Sequence, residues 1–174
     1  MVCAWVEKLI EDGTISVEKD LETKPQFLAK IFTYGSYRLE VNSPNSDIDC
    51  VLVVVEPISR SKHFFSILYD MLNQNSNVKN LIKIESAWVP VIKMIFHGIQ
   101  IDLTFCQFKG DHTSLEGITD EDFQNQENIN HLSRHSERSL NGRNVTEWIL
   151  NYFSDPQKLQ IFRDTLRCIK LFAL

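Results

Sequence analysis

The sequence of 174 residues is short of the residues that mark fibrous and low-complexity chains. Its six glycines and five prolines are spread without a period, and no segment repeats another, so a collagen-like or disordered chain is excluded. Long hydrophobic runs are missing too. A membrane-crossing helix needs about 20 predominantly apolar residues, and every apolar stretch here is broken sooner. The N-terminal MVCAWVEKLIEDG is interrupted by Glu7, Lys8, Glu11 and Asp12, the pattern of a short amphipathic helix and not of a signal peptide. Cys3, Cys50, Cys106 and Cys168 have no CxxC spacing, which argues against structural zinc. Cys50 and Cys106 lie in apolar runs where a reduced thiol acts as a small hydrophobe, and the expectation is an intracellular protein. Positive charge is also scarce, with 18 Lys and Arg against 23 Asp and Glu, a net charge of -5. RNA affinity normally comes from cations neutralising phosphates, so any such contact has to be local or supplied from elsewhere.

What is present is an ordinary globular composition, enough for one domain or one domain plus part of another. The run KIFTY ends in Gly35-Ser36, and Tyr37 to Glu40 reads as a turn or a single helical turn. Turn residues Ser43-Pro44-Asn45-Ser46 precede Asp47 to Val55, which alternates and then becomes wholly apolar, as a strand buried on both faces does. Residues 61–73 space Phe64, Phe65, Leu68, Met71 and Leu72 as a helix, with Ser61 as the expected N-cap. Trp88 to Phe96 and Ile99 to Phe105 read as strands joined by a tight turn at His97-Gly98. In the second strand Gln100, Asp102 and Thr104 face away from Ile99, Ile101, Leu103 and Phe105. Residues 107–138 are polar and aperiodic, a surface excursion with at most short helices. Asn144-Val-Thr-Glu147 resembles a capping pattern for a helix through Phe153, and Asp155-Pro156 opens a second one. The last helix has an apolar stripe of Leu159, Phe162, Leu166, Ile169 and Ala173, with Arg163, Arg167 and Lys170 on its other side.

The residues that carry chemistry are Gly35-Ser36, then Asp47 and Asp49 eleven and thirteen positions after Ser36, then Asp102 on a later strand. Residues i and i+2 of a strand face the same side with Cα atoms roughly 7 Å apart, so Asp47 and Asp49 can converge. Asp102 interrupts an apolar run, where an unpaired carboxylate is costly. Two-metal phosphoryl-transfer sites hold ions about 3.5–4 Å apart, which paired acids on one strand and a third on its neighbour can frame. Mg2+ suits such hard oxygen ligands and leaves room for phosphate oxygens. A Gly-Ser turn lets backbone N–H groups and the Ser36 hydroxyl approach a triphosphate. The combination is that of nucleotidyl transfer.

At these residues the sequence resembles eukaryotic poly(A) polymerase, in its N-terminal nucleotidyltransferase palm. The resemblance starts with KIFTYGSYRLEV and SDIDCVLV. It continues in order through SRSKHFFSILYDML, VPVIKMIFHGIQIDLTF, RSLNGRNVTEWIL and FRDTLRCIKLFA, covering about Lys30 to Leu174. It implies an α/β (α+β) fold, a mixed twisted sheet backed by helices, with residues 1–138 as the palm and residues 139–174 as the first helices of a second helical domain. It also implies that Asp47, Asp49 and Asp102 are catalytic and bind two Mg2+ or Mn2+ ions, with Asp102 closest to the RNA 3′-hydroxyl that attacks the α-phosphate of ATP. Tyr34, Gly35, Ser36, Ser43 and Lys170 match nucleotide-binding positions, and Trp88 and Lys93 match RNA-binding ones. The implied partners are ATP, an RNA 3′ end and mRNA 3′-processing factors, with a nuclear location and no membrane.

Two departures accompany the resemblance. Glu40 stands where the family has Gly, and a negative side chain near a triphosphate loop weakens ATP binding if it points inward. The sequence also stops four residues after Lys170, before the family's Tyr-Ser-Asn stretch, so weak nucleotide binding and poor polymerisation are expected of it alone. The rival readings are an inactive palm that binds nucleotide or a partner, and a related nucleotidyltransferase with another nucleotide or acceptor.

Overall fold

The computed structural model describes residues 2–16, 28–108 and 115–172. In chain order the elements are α1 (Val2–Glu11), β1 (Ala29–Tyr34), α2 (Gly35–Arg38), β2 (Ile48–Val54), α3 (π-helical over Arg60–Leu68, α-helical over Tyr69–Asn73), β3 (Val78–Ile84), β4 (Val91–Phe96), β5 (Ile99–Gln107), α4 (Asp120–Gln124), α5 (Gln126–Asn130), α6 (Arg134–Tyr152) and α7 (Pro156–Phe172). The expected α/β architecture is present: five strands form one mixed sheet in the order β1-β2-β5-β4-β3, in which only β2 and β5 run parallel. Among the described residues no helix is long and apolar enough to cross a membrane.

The core follows from the apolar run in β2. Val51 to Val55 are fully buried, because both sheet faces are covered there. On one face α3 lays Phe64 5.1 Å from Phe105, and α1 adds Trp5, Val6 and Leu9. On the other face Phe123 of α4 meets Phe32 at 5.3 Å, and α6 crosses β1, β2 and β5. The β4–β5 turn uses His97 at φ 49° and Gly98 at φ 85°, the paired positive angles of a type I′ hairpin.

The structure departs from the sequence reading at four places. Ser59, not Ser61, caps α3, and its backbone N–H donates to His63 Nδ1 at 2.7 Å. β3 was not anticipated: it is an edge strand in which Val78 and Leu81 alone pack on the core, so it has no apolar run to mark it. Helix α6 starts at Arg134, ten residues before Asn144, because its buried face is polar and carries Ser136, Ser139, Arg143, Thr146 and Glu147 beside Leu140. It therefore runs unbroken through residue 138, where a domain boundary was expected, and is packed on the sheet along that stretch. The stripe on α7 is poorly covered: no residue of this helix is buried, Phe162 stacks on Phe153 at 4.9 Å, and Ile169 is exposed. Ala173 lies outside the described residues.

Candidate active site

The sheet register assembles the site. Tyr34 pairs with Asp49, Asp49 with Asp102, and Asp102 with Lys93, so four side chains form a row across β1, β2, β5 and β4. Directly paired strand residues share a face, about 4.5–5.5 Å apart at Cβ. Asp47 lies just before β2, and one carboxylate oxygen from each of Asp47, Asp49 and Asp102 falls within 4.8 Å of the others. This donor set consists wholly of hard oxygens, the chemistry that Mg2+ or Mn2+ prefers.

Concentrated negative charge leaves its mark on Asp49. Burial, then the charges of Asp47 and Asp102, raise its pKa above the ordinary carboxylate value, while Lys93 opposes them. Burial likewise raises the phenol of Tyr34. The ammonium of Lys93 forms an ion pair with Asp102, whose side chain is 20% exposed against 45% for that of Lys93. The thiol of Cys50, next to the row, is pushed up to about 11 by burial and then by Asp49 and Asp102, which removes it as a nucleophile at neutral pH.

Gly35 turns the chain from β1 into α2 at φ 64°, and a Cβ there would sit 2.6 Å from Asp49 Oδ2. Both observations explain why this position is glycine. The Gly35 N–H donates to Thr146 Oγ1 at 3.0 Å, so this amide is committed to α6 and not to a ligand. Arg38 forks onto Glu147, with Nε to Oε1 at 2.8 Å and Nη2 to Oε2 at 3.2 Å. A Cβ at Gly142 would lie 2.7 Å from the Tyr34 ring. Helix α6 thus clamps the loop through Gly142, Thr146 and Glu147; the sequence reading took Thr146 and Glu147 only as part of a capping pattern and did not place any of the three at the site. A glycine in the middle of a long helix was the available signal, since it marks close approach by a neighbour.

The other candidate residues lie around this centre. Ser43 and Lys170 line one cleft of about 180 Å³ with Val41 and Arg167, and Lys170 Nζ donates to the Val41 carbonyl at 3.1 Å. Glu40, at φ 61°, occupies a left-handed conformation that suits glycine, and its carboxylate pairs with Arg163 Nη1 at 3.1 Å. Trp88 precedes β4 and is 73% exposed, with the Arg138 guanidinium 3.2 Å from its ring centroid. A cleft of about 710 Å³ on the opposite sheet face, between Val2, Leu68, Leu72 and Met94, is almost wholly apolar and holds none of the carboxylates. Size does not locate the chemistry here.

Residues 1–152 match the family model described as the poly(A) polymerase nucleotidyltransferase domain. The chain belongs to this family. It is 33% identical to poly(A) polymerase PAPalpha of Candida albicans, over 99% of this chain and 30% of that protein. Identity to a poly(A) polymerase of Dictyostelium discoideum is 39%, over 88% of this chain and 18% of that protein. The chain thus spans less than a third of the length of these curated relatives. Among solved structures, mtPAP in complex with GTP matches 61% of this chain and 23% of its own, with 19% identity and a TM-score of 0.42.

Proposed function

We propose that the chain carries the nucleotidyl-transfer site of a poly(A) polymerase, which moves AMP from ATP to the 3′-hydroxyl of RNA. The oxygen of the RNA 3′ end bonds to the α-phosphorus, the bond from that phosphorus to the bridging oxygen breaks, pyrophosphate leaves and the hydroxyl proton is lost. The observation that carries this reading is the convergence of Asp47, Asp49 and Asp102 beside the Gly35 turn in a chain of this family.

In this reading Asp47, Asp49 and Asp102 hold two divalent ions. When bound, Mg2+ or Mn2+ supplies positive charge that favours ionisation of the attacking hydroxyl and neutralises the leaving pyrophosphate. The remaining work is orientation, which provides most of the catalysis in phosphoryl transfer. Tyr34, Gly35 and Ser36 set the position of the triphosphate, and the close packing of Gly35 against Asp49 fixes its distance from the acids. Ser43 and Lys170 flank a shared cleft from which Lys170 contributes charge to the phosphates. Glu40, paired with Arg163, adds no unpaired negative charge to that loop. Trp88 offers an exposed face for stacking on an RNA base, and Lys93 a cation for its backbone. The first helices of a second helical domain are taken to lie within residues 139–174, helix α7 among them.

Incubation with α-labelled ATP, an oligo(A) primer and Mg2+ or Mn2+ tests this function. Metal-dependent label at the primer 3′ end, lost in Asp102→Ala, is the expected result. Incorporation that survives Asp102→Ala would overturn the assignment of the acids.

A further inference from the structure

The Lys93–Asp102 ion pair gives one carboxylate of the triad two competing partners. Asp102 sits between Asp49 and Lys93 in the row across the sheet. The Asp102 carboxylate is the one that the Lys93 ammonium meets, with Asp49 on its other side. The ammonium takes up part of that carboxylate's acceptor capacity, and a divalent cation bound beside it meets the repulsion of a like charge. The same ammonium is easily redirected. It is a compact charge on a flexible four-carbon stem, its side chain is 45% exposed, and it stands on β4, the same strand that Trp88 precedes.

We propose that Lys93 holds Asp102 closed to metal until an RNA phosphate draws the ammonium away, so that primer binding and completion of the metal site are coupled. The inference rests on the metal and RNA roles given above and adds an order of assembly to them. Asp47 and Asp49 take the first ion, which can arrive with ATP. The site becomes complete only when the primer is in place, and this discourages hydrolysis of ATP in its absence. Lys93 is on this account a positioning residue that acts through Asp102. Coupling between two ligands is reciprocal, so metal must tighten primer by the same factor by which primer tightens metal.

The test is a titration with Mn2+ followed by electron paramagnetic resonance, with and without an oligo(A) primer whose 3′ end is deoxy and therefore unreactive. In the wild-type chain the primer is expected to tighten Mn2+ by about fivefold, the low end of usual coupling between sites. Lys93→Met keeps the stem and removes the charge. It is expected to bind Mn2+ about fivefold more tightly than wild type without primer, and to gain nothing further when primer is added. Mn2+ affinity in Lys93→Met equal to or weaker than wild type, or primer tightening that persists in it, overturns the inference. Primer affinity measured on the wild type with and without Mn2+ tests the reciprocal arm and needs no variant; independence from Mn2+ would also overturn it. Asp49→Asn separates the two failures. If it binds Mn2+ as the wild type does, the metal reading has failed and takes this inference with it. If it loses the ion while Lys93→Met is unchanged, only the lock is wrong.

Discussion

The centre of the sheet and helix α7 meet the same loop, residues 35–43, with very different grips. On the sheet side Val51 to Val55 are fully buried beneath Asp49, and β2 is paired on both sides from Asp49 to Val54. Helix α7 buries no residue at all. It reaches the loop through Arg163 to the Leu39 carbonyl, Arg167 to the Glu40 carbonyl and Lys170 to the Val41 carbonyl. Single hydrogen bonds from a charged donor contribute about 1.5–3 kcal/mol each, and no buried apolar side chain of α7 adds to them. The comparison teaches that the acids are preorganised by a rigid core, while the basic residues that flank residues 35–43 ride on a helix with no buried residue of its own.

The largest expected effect falls at the rigid side. Asp47→Ala or Asp102→Ala should lower AMP transfer by about 1000-fold or more, with a circular-dichroism spectrum and melting temperature close to those of wild type, because neither carboxylate contributes to the core. A large loss of fold in either variant would break the comparison, since the acids would then be structural. Gly35→Ala comes next. Its Cβ would meet Asp49 Oδ2 at 2.6 Å in a left-handed backbone, so a displaced carboxylate and a fall in turnover of about 100-fold are expected. Lys170→Ala should weaken ATP by about tenfold at little cost to stability. Hydrogen exchange sharpens the contrast without any mutation: amides of α7 should exchange far faster than those of β2, and equal protection would contradict the loose grip inferred for α7.

The smallest effect is one of stability and has the opposite sign. Burial and the neighbouring acids raise the Asp49 pKa, so the folded chain keeps this proton to higher pH than the unfolded chain does. Stability is then lost as the pH rises from the ordinary carboxylate range through the raised folded value. Asp49→Asn should raise the melting temperature of the metal-free protein by about 1–2 °C near neutral pH. Added Mg2+ should stabilise wild type and not this variant, and the gain should be larger at about pH 8 than at about pH 5. Thermal melts at the two pH values check both signs.

The acids, the Gly35 turn and the β4–β5 hairpin were legible because each obeys a local rule. Asp49 and Asp47, one in β2 and one just before it, stand at i and i+2 where the chain enters the sheet, a spacing that turns both to one side, and His97-Gly98 announces a two-residue turn. That turn also places Lys93 opposite Asp102, so the ion pair followed from the hairpin register. What stayed hidden depends on partners distant in sequence. β3 exists because β4 offers it an edge, and its own residues are mostly exposed. The first half of α6 buries Ser136, Ser139 and Arg143, whose guanidinium lies between Phe32 and Phe123, 4.5 and 4.6 Å from their ring centroids, and a hydrophobic period cannot detect such a face. The clamp of Thr146 and Glu147 on residues 35–38 spans more than a hundred residues of chain and was out of reach for the same reason.

The central claim is that Asp47, Asp49 and Asp102 form a divalent-cation site rather than a solvated acidic edge. Anomalous diffraction from crystals grown with Mn2+ and ATP tests it most directly. The account expects Mn2+ peaks bounded by those three carboxylates, with the triphosphate running from them toward Ser36. Ordered ATP with no Mn2+ at the three acids, or Mn2+ held elsewhere on the chain, would contradict it.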